Sequence, residues 1–207
     1  MRIAFFLAII AFAFSNCDQS TTATTAGNET ATIDKIAADL DTVNYIYESI
    51  PDTDIQLVKL IDGEGNIQES GMMLNGHKVG TWTYNHPGTN YPKTITSFVN
   101  DVRNGPYFEL NDRGQTTIMA YYKNNKLHGP WAKFRYGKAE MSVNYTEGKM
   151  NGIYREVDFK NGQLQKEISF KNGKEDGFMR YYDDKGNVTV EYIYKNGEKI
   201  SGGMVNK

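Results

Sequence analysis

From Gly71 onward, apolar side chains recur at every second position in short runs, and glycine cuts the runs at regular intervals. The recurring pairs are Gly71 and Met73, Thr96 and Phe98, Ala120 and Tyr122, Val143 and Tyr145, Ile168 and Phe170, and Tyr192 and Tyr194. A spacing of two, filled with β-branched and aromatic residues, is the period of a strand with one covered face. Helical spacing fits poorly, because glycine in a helix interior costs about 1 kcal/mol each time.

Three residues after each pair comes a G-x-x-x-G motif with an aromatic two positions beyond it. Full copies stand at Gly76 and Gly80 with Trp82, and at Gly148 and Gly152 with Tyr154. Relaxed copies are Asp101 and Gly105 with Tyr107, Asn125 and Gly129 with Trp131, and Gly173 and Gly177 with Met179. A last copy opens at Gly197 and has Ser201 in place of its second glycine. Successive first positions are separated by 25, 24, 23, 25 and 24 residues. Self-similarity at so narrow a period is the mark of a repeat architecture. Asp101, Asn125, Met179 and Ser201 read as drifted positions in that pattern.

Each copy has a midpoint turn as well: Gly88, Asp112-Arg113-Gly114, Gly137, Asn161-Gly162 and Asp184-Lys185-Gly186, with an earlier one at Asp62-Gly63-Glu64-Gly65. Glycine and asparagine tolerate the positive φ that tight hairpin turns need. Pro106 and Pro130 directly follow a motif glycine, where a missing N–H at a strand start is harmless. Each repeat therefore predicts two strands and two turns. The fold expected is all-β, an elongated antiparallel meander of repeated hairpins with a period of about 24 residues and about twelve strands at roughly 4.8 Å spacing. No hairpin is stable alone, so stacking of neighbours must supply the burial.

These motifs, with the Lys-Asn-Gly punctuation of Lys160-Asn161-Gly162 and Lys195-Asn196-Gly197, resemble MORN repeats, and are similar to the bacterial variant called the YwqK-family antitoxin. The resemblance covers about residues 62 to 203. It implies the hairpin meander and, from the family label, neutralisation of a toxin.

Four segments are expected. Residues 1–17 form a signal peptide: Met1 and Arg2, an apolar run from Ile3 to Phe14, then Ser15-Asn16-Cys17. A helix over that run would be about 18 Å long, short of a hydrocarbon core of roughly 30 Å. The lone cysteine at the end of the run resembles a bacterial lipoprotein signal, which implies lipidation of Cys17. Asn16 departs from the small residue usual there, and ordinary cleavage near Ala11-Phe12-Ala13 is the alternative. Residues 18–32 read as a threonine-rich disordered tether. Residues 33–61 read as a cap, with a short helix at Ile33, Ile36, Ala37 and Leu40 and then strands around Pro51-Asp52-Thr53-Asp54. Residues 62–207 are the repeats.

The 207 residues contain one cysteine and three histidines, too few for an intrachain disulfide or a His/Cys metal cluster. His77 and His128 lie in different copies, about 19 Å apart at the strand spacing. No nucleophile elbow and no phosphate loop occurs. No catalytic residue, metal site or cofactor is expected. Residues 33–70 have nine acidic and two basic side chains, whereas residues 71–207 have fourteen acidic and twenty basic. That split fits a mildly basic sheet meeting an acidic protein or an anionic envelope surface. A nucleic-acid partner is not expected.

The function expected is therefore non-enzymatic. The chain would be exported to the bacterial envelope, tethered to a membrane, and would bind a protein partner, a toxin if the family label holds. Trp82, Tyr107, Trp131 and Tyr154 are candidate contacts, with packing between repeats as their other role. An envelope carbohydrate- or lipid-binding module is the alternative class.

Overall fold

The computed structural model describes residues 45–205. Expectations about the signal, Cys17, the tether and the short helix fall outside these residues. The described chain is all-β. Its strands are β1 (Tyr45–Ser49), β2 (Ile55–Ile61), β3 (Ile67–Leu74), β4 (His77–Asn85), β5 (Pro92–Val99) and β6 (Val102–Leu110). Next come β7 (Thr116–Lys123), β8 (Lys126–Leu127), β9 (Gly129–Arg135), β10 (Lys138–Thr146), β11 (Lys149–Met150) and β12 (Gly152–Val157). The last are β13 (Leu164–Lys171), β14 (Lys174–Tyr182), β15 (Val188–Lys195) and β16 (Glu198–Met204). All are antiparallel in a single open sheet that follows chain order, with the two-residue strands β8 and β11 pairing beside the path on β7 and β10. The expected cap hairpin is β1–β2, with Tyr47 opposite Val58.

The first position of each motif is the second residue of a two-residue hairpin turn. Asn75-Gly76, with φ of 52° and 80°, joins Leu74 to its partner His77. Asn172-Gly173 and Asn196-Gly197 repeat the arrangement. Positive φ at both turn residues matches the twist of paired strands. Several midpoints, by contrast, are wider turns closed by an aspartate or asparagine side chain. The Asp62, Asn111 and Asp183 side chains each accept two backbone N–H groups from the residues two and four positions on.

The second glycine serves a bulge. Thr96 pairs with Tyr107 while Phe98 pairs with Arg103, so Asn104, Gly105 and Pro106 together face Ser97. Gly105 has φ +123°, and a Cβ there would stand 3.0 Å from the Ser97 Cβ. Gly177 is placed likewise against Ser169, at 2.9 Å. A bulge adds twist and bends the strand that bears it.

The bend brings one motif turn beside the next. Backbone N–H groups of Asp101, Asn125, Gly148, Gly173 and Gly197 donate to the carbonyls of Lys78, Arg103, Leu127, Met150 and Glu175, at 2.8 to 3.0 Å. Asp101 and Asn125 are not drifted residues. Their side chains accept the Lys78 and Arg103 N–H groups, at 2.7 and 2.8 Å, closing a second bond that glycine could not form.

The core is a row across the strands. Facing residues run Tyr47–Val58–Gly71, Trp82–Thr96–Tyr107–Ala120, Trp131–Val143 and Tyr154–Ile168–Met179–Tyr192–Gly202. One further step of the neighbouring registers sets Trp82 beside Gly71, Trp131 beside Ala120 and Tyr154 beside Val143. Of the buried residues, Val58, Trp82, Thr96, Ala120, Val143 and Ile168 stand in this row, while Glu69 and Ala132 lie outside it. From Gly71 to Met179 a small or β-branched residue alternates with a large one, so each large side chain leans over its small neighbours. Gly71 is the tightest case, since a Cβ there would come within 2.3 to 2.5 Å of the Trp82 indole. Replacing Gly71 with alanine must therefore displace a fully buried ring. Chemical denaturation should show Gly71→Ala destabilised by about 1–3 kcal/mol.

Candidate functional site

The four candidate aromatics sit at equivalent places in this row but differ in exposure. Trp82 is 0% exposed, and its indole N–H donates to the Met72 carbonyl at 3.1 Å. Packing is therefore its role in the folded sheet, and it cannot touch a partner. Tyr107, Trp131 and Tyr154 are half-buried. The Tyr107 hydroxyl donates to Glu109 at 2.6 Å and its ring meets Tyr122 edge-on, with centroids 5.3 Å apart. The Tyr154 hydroxyl donates to Glu156 at 3.3 Å.

The motif glycines Gly76, Gly105, Gly129, Gly148, Gly152, Gly173, Gly177 and Gly197 all have positive φ, as does Gly80. They belong to the turns and bulges of the sheet.

Long side chains two residues after the motif start extend over the row. The Lys78 ammonium lies 4.0 Å from the Trp82 ring, and Lys199 lies 3.8 Å from the Tyr192 ring. Arg103 is 5.5 Å from the Tyr122 ring. Cations over aromatic faces gain from the ring quadrupole. Lys78 also donates to Glu69 at 3.1 Å and to Tyr84 at 3.2 Å, and Tyr45 donates to Glu69. Burial works against the Lys78 charge, yet the Tyr84 hydroxyl and the Glu69 carboxylate hold its pKa above the ordinary lysine value. These contacts bind the cap hairpin to the first repeat through a buried carboxylate, a group whose burial requires such partners.

The opposite face differs along its length. In its N-terminal half, Ile95, Phe108, Met119 and Ala132 follow one another in register. In its C-terminal half, Arg155, Glu167, Arg180 and Glu191 do. Arg155 pairs with Glu167 at 2.9 Å and Arg180 with Glu191 at 2.6 Å, while Tyr182 donates to Glu167 at 2.7 Å. Opposite charges facing across strands stabilise pairing modestly.

His77 reaches Asp101 at 2.6 Å, and His128 lies 3.5 Å from Glu147. Both make turn-edge contacts with an acid of the adjacent motif. The Lys78 N–H, and after it the His77 ring, hold the Asp101 carboxyl below the usual range. Among the described residues no group of three or more His, Cys, Asp or Glu could hold a metal ion. No helix among them is long and apolar enough to cross a membrane. A hollow of about 430 Å³ lies on the row's own face between Tyr84, Phe98 and Tyr107, with Lys93, Thr96 and Arg103. Sequence reasoning did not single out Lys93 or Arg103, and it marked Thr96 only as a recurring strand position.

No family model matches the chain, and no curated protein matches it. Among solved structures it is similar to TarM of S. aureus. A point mutant of TarM, in complex with Fondaparinux, alpha-GlcNAc-glycerol and UDP, aligns with 14% identity and a TM-score of 0.31, over 71% of this chain and 23% of that one. A second TarM crystal structure aligns with 15% identity and a TM-score of 0.30, over 70% and 23%. The chain thus spans under a quarter of the TarM length, and likeness this slight carries no argument about fold or function.

The row tyrosines make stability sensitive to base. Burial, and after it the hydrogen bond to Glu109, push the Tyr107 hydroxyl well above the ordinary tyrosine value. Burial and the Glu156 carboxylate do the same for Tyr154. Both are neutral in the folded sheet where the unfolded chain already ionises. Their contribution is whole below about pH 10 and falls away as pH climbs above it. Urea midpoints measured from pH 8 to 11 should decline above about pH 10, and less steeply in Tyr107→Phe.

Proposed function

We propose that this chain is a non-enzymatic binding protein, exported and tethered to a membrane, that engages another protein through its sheet. The observation that supports this reading best is one open sheet with neither face roofed by a second layer among the described residues. Half-buried Tyr107, Trp131 and Tyr154 lie on it at regular intervals. Repeated surfaces suit partner binding because equivalent side chains recur along them. The resemblance to MORN repeats and to the YwqK-family antitoxin points the same way, with a toxin as the partner it implies. The apolar run from Ile3 to Phe14, with Cys17 shortly after it, supports export and a lipid anchor.

Crosslinking of the full chain in membranes, with a photoreactive residue at position 131 and then at position 154, tests the reading. A discrete protein adduct in the membrane fraction, together with silence on glycan and lipid arrays, is expected. Array binding without any protein adduct would overturn it in favour of a carbohydrate or lipid module.

A further inference from the structure

The hollow between Tyr84, Phe98 and Tyr107 has the volume of a site for a small ligand or a few residues of a partner. Its charge is one-sided. No carboxylate lines it, and neither Lys93 nor Arg103 forms an ion pair among the described residues. The acids opposite Tyr84 and Thr94 are already engaged, Glu69 by Lys78 and Glu109 by the Tyr107 hydroxyl.

Two oxygens of its lining lack hydrogen-bond partners. Thr96 is 3% exposed, and its hydroxyl oxygen has no hydrogen-bond partner among the described residues. The Asn85 side-chain oxygen, which also borders the hollow, is buried and unpartnered, while its nitrogen donates to the Ile67 carbonyl at 2.7 Å. Buried polar atoms are almost always satisfied, so two orphans under one hollow ask for an explanation.

We propose that the hollow takes an acidic segment of the protein partner, with a glutamate or aspartate carboxylate between Lys93 and Arg103 and peptide N–H groups turned to Thr96 and Asn85. The inference rests on the binding reading above and names the chemistry of its partner. Solvent does not reach the two orphan oxygens as the side chains stand, so binding includes a shift of the side chains that line the hollow. A carboxylate supplies what the cations lack, and an N–H supplies what the oxygens lack. Phe98 and Tyr107, which border the hollow, are held edge-on against Trp82 and Tyr122, at 86° and 66°. The excess of basic residues over residues 71–207 steers an acidic partner towards the same sheet.

Calorimetric titration of the full chain with acetyl-capped hexaglutamate tests this. Saturable binding is expected, weakened about tenfold by Arg103→Ala or Lys93→Ala and unchanged by Lys185→Ala in a distant turn. Lys93, Arg103 and Lys185 are all exposed, so these variants should fold. Thr96→Val should weaken binding too. Absence of binding, or equal losses in all three lysine and arginine variants, would overturn the proposal. Tighter binding of an oligogalacturonate than of the peptide would overturn the choice of a protein segment. A membrane adduct that Arg103→Ala leaves undiminished would sink the hollow alone, whereas hexaglutamate binding without any protein adduct would sink the binding reading.

Discussion

A single sheet with no second layer among the described residues has to find its burial within itself. This chain does so by opposing unequal neighbours across each strand pair. Trp82 covers Gly71 and Thr96, Tyr107 lies between Thr96 and Ala120, and Tyr154 between Val143 and Ile168. Equal side chains would either leave gaps or collide, and interiors tolerate neither. The row therefore works as a core one residue wide, and it is continuous only while every strand keeps its register.

Register is held by devices outside the row. Two-residue turns fix which residues face each other within a motif hairpin. The bulge at the second glycine then bends the strand until the next turn lies near enough for its N–H to reach back to the previous copy. Glycine is needed at positions such as Gly105 because Ser97 stands where a Cβ would project. Turn, bulge and row thus depend on one another. The same periodicity sets out Tyr107, Trp131 and Tyr154 as a regular surface, and it places Arg103 beside the hollow that Thr96 floors. In the proposed reading, stability and recognition draw on the same row.

Much of this was legible in the chain. The period of two, the glycine spacing and the aromatic slot predict an antiparallel hairpin meander, and both partners of the row were visible as recurring positions. Their pairing was not, because opposition across strands follows from the turn. Tight two-residue turns fall at every motif start but at midpoints such as Tyr136-Gly137 only here and there, although all the midpoints looked equally suited. Asp101 and Asn125 looked like decay since a backbone N–H acceptor leaves no trace in spacing. Trp82 and Trp131 looked alike, yet one is fully buried and the other half-buried. The hollow could not be foreseen: Lys93 follows a long hairpin loop and Thr96 is an ordinary strand residue until its hydroxyl is found without a partner.

The interdependence of turn, bulge and row is tested most directly by deletion in phase and out of phase. Removing residues 101–124 joins Asn100 to Asn125, both of which have positive φ, and slides one whole repeat out of the row. Far-UV circular dichroism during urea unfolding should then show a β spectrum and one cooperative transition, at a lower midpoint. Removing residues 101–112 joins Asn100 to Arg113, sets like against like in the row, and should abolish that transition. If both deletions were equally harmful, or equally tolerated, the row would not be what holds the sheet together.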